Sequence, residues 1–285
     1  MVKINKVRRK KLIHHANKAM RIKLVVGNWK MNPASLDEVK RLMRNFQFFR
    51  QRRIRLGRTI FNFQKTKIII CPPYVYLPFI SEKLKAKSLK QKAALGAQDV
   101  FYESEGAFTG EISPLMLKNL GVKYVIVGHS ERRALGETNE IVRKKIGACL
   151  KHVITPIVCV GESKRDESGN YLSFVKTQLE EIFSGLPKTI SGKIIIAYEP
   201  IWAIGKTAAR EATPEEAEEM SIFIKKVLSD IFDAKAVKNL RIIYGGSVNP
   251  ENSASFLNQR NIDGLLVGRD SLDPDNFKEI IKSVN

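Results

Sequence analysis

The chain is poor in cysteine and has no long apolar run. Its three cysteines, Cys71, Cys149 and Cys159, are odd in number and widely spaced. That excludes a disulfide framework and leaves reduced, buried thiols of the kind kept in the cytoplasm. No stretch approaches the length of a membrane span, and the N-terminus lacks the apolar run of a secretory signal, so a soluble cytoplasmic protein is expected. Histidine is scarce as well: His14, His15, His129 and His152 show no ligand spacing and no paired cysteines accompany them, which removes the usual zinc patterns. A dinucleotide glycine fingerprint is missing after the first apolar run, where the chain reads Gly27-Asn28-Trp29-Lys30. The last shortage is local, because residues 1–23 and 40–67 contain no acid at all.

Those acid-free segments explain the formal net charge of +20. They hold nine and ten Lys/Arg respectively, so the other 30 basic residues face all 29 acidic ones. The body of the protein is close to neutral and carries two basic additions. Such additions can grip RNA or another polyanion, yet no aromatic-and-basic recognition pattern accompanies them. A solvated tail and an outer helix face are the preferred reading. Residues 1–20 read as an N-terminal extension, with Met20 as an alternative start, and residues 21–285 as one domain.

Within that domain, short apolar runs alternate with longer amphipathic segments. Strands are predicted at Ile22–Val26, Lys67–Cys71, Ala93–Ala97, Tyr124–Val127, Pro156–Val160, Ile194–Tyr198, Leu240–Tyr244 and Gly264–Val267. Near-continuous apolar runs of this length suit parallel strands covered on both faces. Helix starts stand between them: capping boxes at Ser35-Leu36-Asp37-Glu38 and Thr213-Pro214-Glu215-Glu216, and a polar cap before proline at Ser113-Pro114, Asn249-Pro250 and Asp273-Pro274. Eight such units with no linker predict an α/β fold, a single-domain (β/α)8 TIM barrel. The long interval before the second strand predicts that residues 40–66 extend the first helix or its following loop.

In a barrel the loops after the strands share one rim, so residues far apart in sequence converge there. Asn28 and Lys30 follow the first strand, His129-Ser130-Glu131-Arg132-Arg133 the fourth, and Glu199 the sixth. Tyr198-Glu199-Pro200-Ile201-Trp202-Ala203-Ile204-Gly205 delivers a carboxylate from an apolar strand into a loop bounded by proline and glycine, which suits a base with its own lid. Tyr244-Gly245-Gly246-Ser247 and Gly268-Arg269 supply glycine-rich loops before helices, where unpaired backbone N–H groups bind phosphate. A base, an imidazole, a lysine and a phosphate cradle, with no metal or organic cofactor, suit proton abstraction beside the carbonyl of a phosphorylated compound. Each group taken alone has an ordinary reading as a solvated or structural residue.

Four segments, in order, resemble the triosephosphate isomerase family: Gly27-Asn28-Trp29-Lys30-Met31-Asn32, Val127-Gly128-His129-Ser130-Glu131-Arg132-Arg133, Tyr198 to Gly205, and Tyr244-Gly245-Gly246-Ser247-Val248. The likeness runs from about Ile22 to the C-terminus. It implies interconversion of dihydroxyacetone phosphate and D-glyceraldehyde 3-phosphate, a step of glycolysis and gluconeogenesis. By it, Glu199 is the base, neutral His129 polarises the carbonyl, Lys30 and Asn28 stabilise developing charge, Glu131 partners the lysine, and Ser130 neighbours the base. A helix beginning just after His129 would disfavour its imidazolium form. Backbone groups of Gly205, Ser247, Gly268 and Arg269 would hold the phosphate, under a lid from Pro200 to about Ala208. Gly106-Ala107-Phe108-Thr109-Gly110-Glu111 resembles the family's dimer loop, which implies a homodimer. Three features depart from the family: Ala203-Ile204-Gly205-Lys206-Thr207 and a longer run to Pro214 where Gly-Thr-Gly-Lys-Thr is usual, Gly268-Arg269-Asp270-Ser271 where Gly-Gly-Ala-Ser is commoner, and the basic additions. Two other readings stay open at this stage, a polyanion-binding protein on a barrel scaffold and an isomerase of longer phosphosugars.

Overall fold

In the computed structural model the described residues are 21–45, 53–56, 59–62, 65–85, 93–205, 208 and 210–284. The N-terminal extension, much of the second basic segment, and Lys206 and Thr207 of the lid lie outside them. Eight strands form a closed barrel: β1 (Lys23–Asn28), β2 (Thr66–Cys71), β3 (Ala93–Ala97), β4 (Tyr124–Val127), β5 (Thr155–Val160), β6 (Ile195–Tyr198), β7 (Arg241–Tyr244) and β8 (Gly264–Val267). Every neighbouring pair is parallel, and β1 closes the ring on β8 with Leu24 opposite Gly264 and Val26 opposite Leu266.

Side chains alternate across each strand, and here both faces are apolar. Leu24, Val26, Ile69, Ala94, Ile126, Ile157, Ile195, Ala197, Ile243 and Leu266 fill the barrel interior. The intervening set, including Val25, Ile68, Val125, Val158, Ile196 and Ile242, packs outward against the helices. Those helices are α1 (Leu36–Asn45), α2 (Leu77–Lys85), α3 (Pro114–Asn119), α4 (Asn139–Lys151), α5 (Asn170–Phe183), α6 (Pro214–Phe232), α7 (Pro250–Leu257) and α8 (Pro274–Lys282). One follows each strand, so the active rim is built from eight βα turns on a rigid core. The predicted caps form: the Ser35 hydroxyl accepts from the Glu38 N–H, and Ser113, Thr213, Asn249 and Asp273 cap α3, α6, α7 and α8.

The stretch between α1 and β2 departs from expectation. Residues 40–45 extend α1 as expected, but among the described residues beyond them Arg53–Leu56 pairs antiparallel with Thr59–Asn62. The reason is visible in Arg-Ile-Arg-Leu-Gly-Arg-Thr-Ile-Phe-Asn, whose alternation and central glycine are a hairpin signal that the helical start at Ser35 overshadowed.

At Thr213 the capping box is complete, with the hydroxyl accepting from the Glu216 N–H at 3.2 Å and the Glu216 carboxylate accepting from the Thr213 N–H at 2.8 Å. Thr213→Ala is expected to cost about 1 kcal/mol, read as a lower urea midpoint with an unchanged slope.

Candidate active site

The loop after β4 places the imidazole. Gly128 turns the chain with φ of 71°, and His129 caps a short helix at Ser130–Ala134. The Glu131 N–H donates to His129 Nδ1 at 3.2 Å. A backbone amide can only donate, so Nδ1 carries a lone pair and the ring proton of the neutral imidazole sits on Nε2. That proton-bearing nitrogen lies 3.3 Å from Oε1 of Glu199.

Glu199 is 2% exposed because its strand end is wedged between two others. A Cβ on Gly161 would run into the Glu199 carbonyl, and one on Gly245 would sit 3.1 Å from the Glu199 Cγ. Both glycines are therefore required by close approach. The Glu199 N–H donates to the Val160 carbonyl at 2.8 Å, while Oε2 accepts from the Ser130 N–H at 3.0 Å. Oε1 accepts no hydrogen bond among the described residues, so it is the oxygen free to take a proton.

Lys30 is held in the left-handed region, φ 50°, at a cost of about 1–2 kcal/mol. Two contacts offset it: the Lys30 N–H donates to Asn28 Oδ1 at 3.0 Å, and Gln98 Nε2 donates to the Lys30 carbonyl at 2.8 Å. The ammonium reaches Glu131 Oε1 at 2.6 Å. Asn28, Lys30, His129, Gly205, Ser247, Gly268 and Arg269 line one cavity of about 480 Å³. Glu131 and Glu199 do not line it. The first is an exposed partner of Lys30, and the second has its carboxylate turned onto Ser130 beneath the rim.

Several groups that build this site carry no local sequence signal. Gln98 also donates to the Cys71 carbonyl at 2.9 Å and so ties the Lys30 loop to β2. Behind His129, Glu137 Oε2 accepts from the Gly128 N–H at 3.0 Å, and Arg133 Nε donates to the Gly128 carbonyl at 2.7 Å. The buried Lys145 ammonium joins Glu137 to Asp99. Glu137-x7-Lys145 is an ordinary helix pattern; only the fold shows what the pair grips.

The lid is anchored at both ends. Glu162 Oε1 accepts from Trp202 Nε1 at 2.7 Å and from the Tyr198 hydroxyl at 2.9 Å, and burial pushes the Glu162 carboxyl above the ordinary carboxylate range. The Ser247 hydroxyl donates to the Ala203 carbonyl at 2.8 Å. At the far end, the Arg210 guanidinium lies 4.5 Å from the Trp202 ring centroid and donates twice to Glu216, at 2.9 and 2.5 Å. Arg210 belongs to the run that departs from the family pattern, and it joins the two lid hinges.

A sequence model described as triosephosphate isomerase matches residues 23–284. The chain is 43% identical over 266 residues to the triosephosphate isomerase of Dictyoglomus thermophilum, covering 93% of this chain and 100% of that protein. It is 42% identical over 263 residues to the one of Aquifex aeolicus, with 92% and 99% covered. For the one of Dehalococcoides mccartyi the identity is 44% over 265 residues, with 92% and 96% covered.

The Arg210–Glu216 pair gives the fold a pH dependence. The Arg210 hydrogen bond is the main reason the Glu216 carboxyl falls from 4.5 to about 2. A depressed acid stabilises the fold above its unfolded pKa, and that contribution fades as pH drops through the folded value. Arg210→Ala should therefore lower the urea midpoint most above about pH 4.5, and the difference from wild type should close toward pH 2.

Proposed function

Because the chain belongs to the triosephosphate isomerase family and so interconverts dihydroxyacetone phosphate and D-glyceraldehyde 3-phosphate, we propose that Glu199 is the base that moves the proton between the two substrate carbons. The observation that carries this is the pairing of Glu199 Oε1 with His129 Nε2 at 3.3 Å, at the edge of the cavity that Lys30 also lines. In the forward direction the carboxylate takes a proton from the hydroxymethyl carbon of dihydroxyacetone phosphate. The electron pair moves into a carbon–carbon double bond and the carbonyl oxygen becomes anionic. His129 donates its Nε2 hydrogen bond to that oxygen, Lys30 supplies positive charge beside it, and Asn28 adds an amide donor. The proton then returns from Glu199 to the neighbouring carbon, with His129 shuttling protons between the two oxygens. No electrons enter or leave, so the residues alone complete the reaction.

In this reading the phosphate rests on backbone N–H groups of Gly205, Ser247, Gly268 and Arg269. The Glu199 carboxylate leaves the Ser130 N–H and turns into the cavity as the lid from Pro200 to Ala208 closes, and Glu131 holds the Lys30 ammonium in place. Exclusion of water by the lid keeps the enediolate from losing phosphate. Coupled assay of Glu199→Gln is expected to show kcat reduced by about 10²–10⁴-fold with KM little changed. Retention of wild-type kcat would overturn the assignment.

The second part of the reading concerns assembly. The run Glu105 to Glu111 is exposed throughout, and it presents the apolar Phe108 ring, packed 4.7 Å from Phe101. Met31, next to Lys30, is 93% exposed, and Val75 is 77% exposed on a turn whose neighbour Tyr76 donates to the Pro33 carbonyl. A loop that reaches out and an apolar face beside the catalytic lysine support a homodimer joined through the loop around Thr109. Sedimentation should give a dimer for the wild type and a monomer for Thr109→Arg, with activity falling alongside. We place the protein in the cytoplasm on its three buried thiols; burial pushes that of Cys149 up to about 12. Among the described residues no helix is long and apolar enough to cross a membrane. The basic segments add charge without a catalytic role, and residues 21–285 form the catalytic domain with 1–20 appended.

A further inference from the structure

The end of the barrel opposite the catalytic rim holds a second cavity of about 280 Å³. Strand register explains what lines it. Lys67 stands opposite Leu24 and two residues before Ile69; Tyr124 stands opposite Thr155 and two before Ile126; Arg241 stands opposite Ile195 and two before Ile243. Since those partners fill the interior, Lys67, Tyr124, Thr155 and Arg241 form its lowest layer. Two cations, a phenol and a hydroxyl thus face one another where a barrel ordinarily places apolar side chains.

The lining contains no carboxylate. Asp263, which precedes β8 at this end, is already engaged, accepting from the Ile242 N–H at 3.1 Å and lying 3.8 Å from Arg21. Arg241 Nη1 donates to the Ile22 carbonyl at 3.2 Å. The Lys67 ammonium and the Tyr124 hydroxyl have no partner among the described residues. Lys67 is partly buried, and burial disfavours its charged form, while burial also raises the Tyr124 phenol against the pull of Arg241. Like charges that share a partly desolvated cavity are costly unless an anion joins them.

We propose that this cavity is an anion site, separate from the catalytic one, that takes a small oxyanion of the phosphate class between Lys67 and Arg241 with the Tyr124 hydroxyl as a further donor. A guanidinium grips two phosphate oxygens at once and an ammonium supplies a point charge. The size of the cavity admits an inorganic ion of this class, and its lining belongs to the end of the barrel opposite the catalytic rim.

Inorganic phosphate is the probe. Equilibrium dialysis of the full chain should count two phosphates per chain, one displaced by dihydroxyacetone phosphate and one not. In Lys67→Met/Arg241→Gln the second should vanish while kcat/KM for the isomerase reaction stays unchanged. Thermal unfolding supplies an independent measurement: saturating phosphate should raise the wild-type midpoint by about 2–4 °C more than it raises that of the double variant. Should the double variant fold poorly, Lys67→Gln alone should weaken the second binding step at least tenfold. One site in the wild type, or the same two sites and the same midpoint rise in the variants, would overturn the proposal.

Discussion

One hydrogen bond organises the catalytic rim: the backbone N–H of Glu131 aimed at Nδ1 of His129. It fixes where the ring proton lies, and so fixes which nitrogen can serve the substrate. The other nitrogen then faces Glu199 at 3.3 Å, so that a ring N–H and a carboxylate oxygen meet at one edge of the cavity. That bond depends on the turn at Gly128, which is gripped from both sides, by Glu137 on its N–H and by Arg133 on its carbonyl. Glu137 in turn is neutralised by the buried Lys145, which also binds both oxygens of Asp99 at 2.7 and 2.9 Å. A buried ion cluster is a poor source of net stability but a strict one of geometry, since any missing member leaves a charge unpaired. Here the geometry it fixes is the height and tilt of the imidazole.

The same logic of close fit holds the base. Parallel strands that converge at the rim leave little room after β5, β6 and β7, and the chain answers with Gly161, where a Cβ would collide with the Glu199 backbone, and Gly245, where it would press on the Glu199 side chain. The carboxylate is consequently desolvated in the resting state, with one oxygen on an amide and the other 3.3 Å from His129 Nε2. A carboxylate in that condition is held away from water, just below the cavity that His129 lines. The strained Lys30 shows the converse device: a left-handed backbone is tolerated because Asn28 and Gln98 take both of its polar groups.

Much of this was legible in the sequence because it is local. The eight strands end within two residues of where apolar runs predicted them, and five helix starts formed at polar caps whose partner lies two or three residues on. Convergence of Asn28, Lys30, His129, Ser247 and Gly268 on one cavity followed from strand-end position alone. What escaped is whatever depends on distant pairing. Gln98 acts 68 residues from Lys30, and Glu162 acts 40 residues from Trp202, with no spacing rule to join them. The pair Arg53–Leu56 with Thr59–Asn62 was readable in its alternation, yet a strong cap at Ser35 favoured helix. Lys67 was counted as one more surface charge, because inward or outward facing depends on register, which charge counting ignores.

The departures at the lid and at β8 acquire a physical sense when their partners are compared. Asp270 brings negative charge to the cavity lined by Lys30 and Arg269, but its Oδ1 accepts from Asn276 Nδ2 at 2.7 Å, which ties the carboxylate to α8. Arg269 lines the same cavity and has no acidic partner among the described residues, so it offsets the charge of Asp270 beside it. Glu211 stands on the lid side of that cavity, and its neighbour Arg210 is bound to Glu216 and stacked on Trp202. The longer lid therefore exchanges a compact glycine-rich hinge for a clasp of one guanidinium between ring and carboxylate. Any displacement of Trp202 carries Arg210 with it or separates the two. Because the ion pair faces water on one side, separation costs far less than breaking the buried cluster behind His129. The half-exposed contacts thus lie in the loop after β6, while the buried ones lie behind His129.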